Sequence, residues 1–294
     1  MNTECDTDGT ARTTTWSRPA AMPFPESARV LYRNNPLVEV ISQVRFPPIL
    51  RIEADPPADF QDAIRASFPV LTETSGVSTT LGVPQELTGQ VPAEVIQQLA
   101  AFRLNVQPSS RTFAFKSEDE TWSMALSRDS LSLTATKYER WEEFRDRLLV
   151  GLRALIDLYR PAYFSRVGLR YRDVICRSEL GLAGVPWSDL LATHIAGELA
   201  AEAIADDVVV AARQLGARLP DVGGQLLLRH GLTLQEGANE LCFLIDADFY
   251  TTDRTEVADV EHALEGFHGQ AGRLFRWCIQ PRLDQALDPQ PLPD

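Results

Sequence analysis

Along "NPLVEVISQVRF", Val38, Val40, Val44 and Phe46 alternate with Glu39, Ile41, Gln43 and Arg45, a period of two that predicts a strand with one mostly apolar face. Pro47 and Pro48 interrupt it, and Ile49, Leu50 and Ile52 follow at once. Proline cannot donate to a ladder and is tolerated at a strand edge or bulge. The pair therefore reads as a bend sending Val44 and Phe46 to one surface and Leu50 and Ile52 to another. "PPADFQDAIRASFP" sets Phe60, Ala63, Ile64 and Phe68 on one helical stripe between proline start and stop signals. Glycine and proline break residues 70–100, with a short helix near 92–100. "AFRLNV", "RTFAFKS", "TWSMALS" and "SLSLTATKY" are short alternating runs, the last three joined by the turn sequences "SEDE" and "SRDS".

Trp141, Phe144, Leu148, Leu152, Leu155 and Tyr159 then recur at steps of three and four, among Glu142, Glu143, Arg145, Asp146 and Arg147, which predicts an amphipathic helix ended by Pro161. "YFSRVGLRYRDVIC" is a strand with Val167, Leu169, Tyr171 and Ile175 off one face. Pro186 opens a helix through Trp187, Leu190, Leu191, Ile195 and Leu199. "DDVVVAARQL", "GGQLLLRHGLTLQE" and "NELCFLIDADFY" are three more strands. A last helix, about 256–279, carries Val257, Val260, Leu264, Phe267, Ala271, Leu274 and Cys278 at a seven-residue period. The order strand, helix, strands, long helix thus occurs twice, over 30–160 and 163–280. It predicts an α+β fold of mainly antiparallel sheets with packed helices, in two similar units. Residues 1–28, rich in Thr, Ala and Pro without a period, read as a disordered lead-in, and 281–294 as a flexible, proline-interrupted tail.

Composition narrows the function classes. Among 294 residues, 41 Asp and Glu outweigh 28 Lys and Arg, a net charge of −13 that disfavours nucleic acid as the main partner. Cys5, Cys176, Cys242 and Cys278 are scattered without a C-x-x-C pair, so reduced, buried thiols in a cytoplasmic protein are expected. No apolar run approaches the ~20 residues of a membrane span, and no membrane association is expected.

The chemistry-bearing residues are few. Arg166, Arg170 and Arg172 project from one face of one strand, with Gly168 leaving a gap and Arg45 on the neighbouring strand. Such a row of guanidinium forks could hold a carboxylate, a phosphate or a peptide backbone, although an ion-paired sheet face is the commoner outcome. Asp246 and Asp248, with Asp253 nearby, are weak candidates for a Mg²⁺ or Mn²⁺ site. His262 and His268 are not at the i, i+4 spacing that shares a metal, and His194 and His230 have no recognisable partner. Tyr138, Trp141 and Phe144 bridge a strand-to-helix junction, either as a hydrophobic staple or, less commonly, as an aromatic cage for a cation. No phosphate loop, dinucleotide fingerprint or nucleophile elbow occurs, and no cofactor is expected.

"NPLVEVISQVRF", "WSMALSRDSLSLTATKYERWEEF" and "SRVGLRYRDVI" together resemble a sporadically distributed bacterial family of uncharacterised proteins of about this length. The family pattern matches at Glu39, Arg45, Trp122, Asp129, Tyr138, Trp141, Arg166, Gly168, Arg170 and Tyr171, but Asp173 stands where Asn is expected. The resemblance implies no assigned reaction. Its patchy distribution implies an accessory, cassette-borne role such as natural-product assembly or defence. Three readings stay open: a non-catalytic protein that holds a peptide or protein partner, an enzyme with a carboxylate and arginine cleft, and a small-ligand binder with a cavity between sheet and long helix. The first is favoured, with Arg45, Arg166, Arg170 and Arg172 as contact residues. The stripe of the final helix offers a seat for a second copy, beside ordinary packing on its own sheet.

Overall fold

The protein, described here as a computed structural model, is defined over residues 24–74, 111–235 and 240–292. The short helix expected near 92–100 and the run "AFRLNV" lie outside those residues, as does most of the expected lead-in.

Strand β1 (Val30–Tyr32) precedes β2 (Leu37–Arg45), and β2 is followed by α1 (Arg51–Ala54), α2 (Ala58–Ile64), β3 (Val70–Thr74), β4 (Thr112–Lys116), β5 (Trp122–Ser127), β6 (Ser130–Ala135) and α3 (Trp141–Tyr159). The second series is β7 (Arg166–Ile175), a broken helical stretch including α4 (Thr193–Ala196), β8 (Ala212–Leu219), β9 (Gly224–Leu234), β10 (Leu241–Tyr250) and α5 (Val260–Cys278). The fold is α+β. Strands β2 to β10 join in one nine-stranded antiparallel sheet of order β3-β4-β5-β6-β2-β7-β10-β9-β8, and β1 lies outside it. Both series trace the same path. A first strand lies at the centre, the chain moves out to an edge, and a meander returns until its last strand pairs with the first.

Residues directly opposite one another in a ladder share a sheet face. Met124, Leu133, Ser42, Leu169, Phe249 and Leu226 are linked in this way across six strands. The Phe249 ring stacks on Phe267 of α5 at 6.3 Å, while Gly151 of α3 lies against Met124 and Leu131. The two long helices therefore cover the same face of the sheet. Val260, Leu264, Phe267, Ala271, Leu274 and Cys278 are all buried in the core beneath α5, so this stripe serves its own sheet.

The proline pair ends β2 at a latch. Phe46 N–H donates to the Asp129 carbonyl at 3.0 Å and Ile49 N–H to that of Arg128 at 2.7 Å, which ties both flanks of Pro47-Pro48 to the β5–β6 turn. The expectation of two surfaces is corrected here: Ile52 returns to the core that holds Val44 and Phe46, and Leu50 points to solvent. The helix expected from Pro186 breaks into the turn Trp187–Asp189, α4 and the turn Gly197–Ala200, with Gly197 at a left-handed φ of 51°. Its apolar residues are buried as expected.

Two further corrections bear on the site. The expected flexible tail is instead α6 (Pro281–Ala286) followed by β11 (Pro289–Pro291), which pairs with β1, and Leu283 and Leu287 are fully buried. The end of the expected lead-in is likewise packed, with Phe24 buried 5.4 Å from the Trp277 ring. The cysteine reading also changes: Cys176 and Cys242 form a disulfide across β7 and β10, while Cys278 is a buried free thiol.

The docked C-terminal segment gives a first expected outcome. Leu283→Ala should destabilise the protein by ~2–4 kcal/mol in chemical denaturation, the cost of a cavity in a packed site. A change within ~0.5 kcal/mol would mean that the segment contributes as a loose tail does.

Candidate functional site

The arginine row lies on the sheet face away from α3 and α5. There Glu39, Arg172, Asp246 and Arg229 are aligned across four strands. Arg170 grips Asp246 with both of its forks, Nε at 2.6 Å and Nη2 at 2.5 Å, and Arg229 stands 3.8 Å from the same carboxylate. Arg172 pairs with Glu39. Arg166 reaches Asp248 at 2.8 Å by lying over Gly168, where a Cβ would collide with its guanidinium. The gap seen in the sequence is thus filled by its neighbour. Arg45 is exposed, directly opposite Arg166. Asp246 and Asp248 are the arginines' counter-ions. Among the described residues no group of three or more His, Cys, Asp or Glu is placed to hold a metal ion. These residues come together as an ion-pair ladder rather than an open anion cradle.

On the opposite face is a cavity of about 300 Å³. Its floor is Tyr171 and Asp173 of β7. One wall is the turn of α5 from His268 to Arg276. The other is the segment from Ser27 to Leu37, and Tyr138 closes one end. Only Ser27 and Ala28 of this segment belong to the expected lead-in; the rest falls at the start of the first expected unit. The structure fastens it from several sides. Arg29 forms a two-pronged pair with Glu142 at 2.7 and 3.2 Å, the Tyr32 hydroxyl donates to Asp284 at 2.6 Å, and the Tyr32 ring meets Phe275 edge-on at 5.6 Å. The Glu142 carboxyl is pulled down to about 2 by its bond to Arg29.

Asp173 is the unusual group. It occupies the core-facing register between Leu37 and Ile245 and is 6% exposed, and among the described residues no hydrogen bond or ion pair satisfies its carboxyl. Burial, with a smaller effect from Asp246 behind it, raises its pKa well above the ordinary carboxylate range. Beside it the Tyr171 hydroxyl and His268 Nδ1 share a hydrogen bond at 2.9 Å, and the His268 ring stacks on Trp141 at 4.5 Å. Burial, helped by the charge of Arg29, lowers the His268 pKa to about 4, so the ring is neutral near pH 7. Burial raises the Tyr171 and Tyr138 phenols. Arg273 adds a buried Nη1 with no partner among the described residues.

The cavity has room because of glycine. Gly266, Gly269 and Gly272 recur every three residues in α5, each costing about 1 kcal/mol of helix propensity relative to Ala. A Cβ at Gly269 or Gly272 would meet nothing within 4 Å, and both residues line the cavity. Two sequence signals could have found this site. One is the glycine spacing. The other is Asp173 itself, an acid in the period-two series Val167, Leu169, Tyr171, Asp173, Ile175.

No protein-family model matches this chain, and no curated protein matches it. The resemblance drawn from the three motifs therefore rests on those motifs alone.

Two outcomes are expected. Asp246→Ala leaves Arg170 and Arg229 facing an empty site and should cost ~3–5 kcal/mol, whereas Asp248→Ala, at a more exposed pair, should cost about 1 kcal/mol. Equal, small losses would argue against a structural ladder. The second outcome concerns pH. The folded pKa of Asp173 lies above its unfolded value near 4, so its contribution is fully favourable below about pH 4 and is lost as pH rises. Asp173→Asn should therefore raise stability by ~1–3 kcal/mol at pH 7–8, and the gain should vanish near pH 4. His268 and His230, both lowered to about 4, act in the other direction: their contribution is present above about pH 6.5 and is lost as pH falls toward 4. Melting curves of both chains from pH 4 to 8 provide the check.

Proposed function

We propose that the protein is a non-catalytic binding protein for a small organic molecule seated between β7, α5 and the segment Ser27–Leu37. The observation that carries this reading is the cavity with an unsatisfied carboxyl in its floor. Its volume of about 300 Å³ is at the lower end of the range for small-molecule sites, roughly 300–1,000 Å³. Its lining follows the usual division, with apolar surface from Val30, Leu31, Leu37, Ala271 and Phe275 and a few fixed polar groups. Burying a polar group without a partner costs on the order of 1–3 kcal/mol, and a ligand that supplies the partner recovers it.

A peptide or protein partner is a second reading, favoured by one observation. β8 is hydrogen-bonded on one side, to β9, and among the described residues no strand pairs with its other edge; Leu215 on this strand and Val209 just before it are exposed. An added strand would continue the sheet there.

The test is a thermal-shift and native mass-spectrometry screen of small aromatic and aliphatic fragments against the wild type and the double variant Gly269→Leu/Gly272→Leu. Crowding the cavity wall should abolish the shifts while leaving the apo melting temperature equal or higher, since each replacement removes a helix glycine. Fragment binding unchanged in the double variant would move the site elsewhere and overturn the reading.

A further inference from the structure

Resting on that reading, we infer that the ligand carries a positively charged amine seated against Asp173, on an apolar body lying against Tyr138, Tyr171 and Phe275. Three observations converge on this class. The Asp173 carboxyl faces the cavity, is more than nine-tenths buried, and has no partner among the described residues. An amine is the partner that answers a buried carboxylate most strongly, because both charges are neutralised where water is scarce. The walls suit a cation as well. The Tyr138 and Tyr171 rings meet edge to face at 6.0 Å and 89°, presenting two aromatic surfaces at one end of the cavity, and ring faces attract cations.

The cationic groups of the cavity do not reverse this preference. Arg29 is engaged by Glu142. Arg276 is partly exposed at the far end of the α5 wall from His268, so water screens its charge. Arg273 has one nitrogen without a partner, but it is only partly buried, so water serves the rest of its guanidinium. A carboxylate ligand at Arg273 would leave Asp173 unanswered. The titratable groups facing Asp173 are Tyr171 on its own strand, Cys278 on α5 and Asp246 across the sheet, none of them a cation. Because burial favours the neutral carboxyl, seating an ammonium group there favours release of the Asp173 proton to solvent. The ammonium keeps its own protons, and apart from that O–H no covalent bond changes.

Three probes sharing one body separate the possibilities: phenethylamine, 2-phenylethanol and 3-phenylpropionate, titrated calorimetrically at pH 7 in two buffers of different ionisation heat. Phenethylamine should bind at least tenfold tighter than the alcohol, with net release of protons on binding that is absent for the alcohol. In Asp173→Asn that preference should collapse to within about twofold, while the alcohol binds as it does to the wild type. Binding of the alcohol or the propionate as tightly as the amine, or an amine preference that survives Asp173→Asn, overturns the amine assignment and leaves the cavity reading standing. Amine binding that persists in Gly269→Leu/Gly272→Leu overturns the cavity reading as well. If none of the three binds the wild type, the inferred class is wrong.

Discussion

The antiparallel pairing of β2 with β7 is the constraint on which the rest of the molecule depends. It joins the two strand series into one sheet, and its register assigns every side chain of both central strands to a face. With a side-chain period of two, a slip by one residue would carry Arg170 and Arg172 under the helices and turn Leu169 and Tyr171 outward. The ion-pair ladder penalises that slip from one side and the apolar core from the other. Arg172 ties β7 to Glu39 of β2, and Arg170 ties β7 to Asp246 of β10, so the three middle strands are cross-linked by charge in a single alignment. A break in the register between Leu37 and Glu39 lets Val38 leave the core side and pack near Cys176 and Cys242, at the end of the pair where the disulfide closes.

The same parity creates the cavity. Position 173 falls on the core side, and the chain places a carboxylic acid there where the rest of the series is apolar. On the α5 wall of the same cavity, Gly269 and Gly272 add no side chain, and a Cβ at either would meet nothing within 4 Å. Both features run against stability, one through an unsatisfied polar group and the other through helix propensity, and they meet at one place.

Much of the architecture was legible in the chain. The strands of the meander, the two long helices and the repeated order follow from periodicity, because half-buried strands and one-faced helices must sort their residues at periods of 2 and 3.6. The ion-paired outcome of the arginine row was also foreseeable, since Asp246 and Asp248 alternate on a neighbouring strand as the arginines do. What could not be read was pairing across long separations. Nothing local shows that Pro281–Ala286 docks as a helix or that Pro289–Pro291 adds a strand to Val30–Tyr32, because both segments are short and proline-rich and owe their order to distant partners. Cys176 and Cys242 looked scattered for the same reason: they are 66 residues apart in the chain and become neighbours only once β7 and β10 align. A cavity between sheet and long helix was among the readings, but its residues were not named, because the segment before β2 that forms one wall has no period of its own.

The clasp between the first and last strands has a consequence for how the protein is made. Tyr32 and Asp284, separated by 252 positions, are bonded across it. During vectorial synthesis β7 and the Asp173 floor emerge before α5 brings the second wall. The segment that covers the cavity is fastened only after residues 284–291 have left the ribosome. A nascent chain that lacks residues 284–291 thus carries an open trough in place of a chamber.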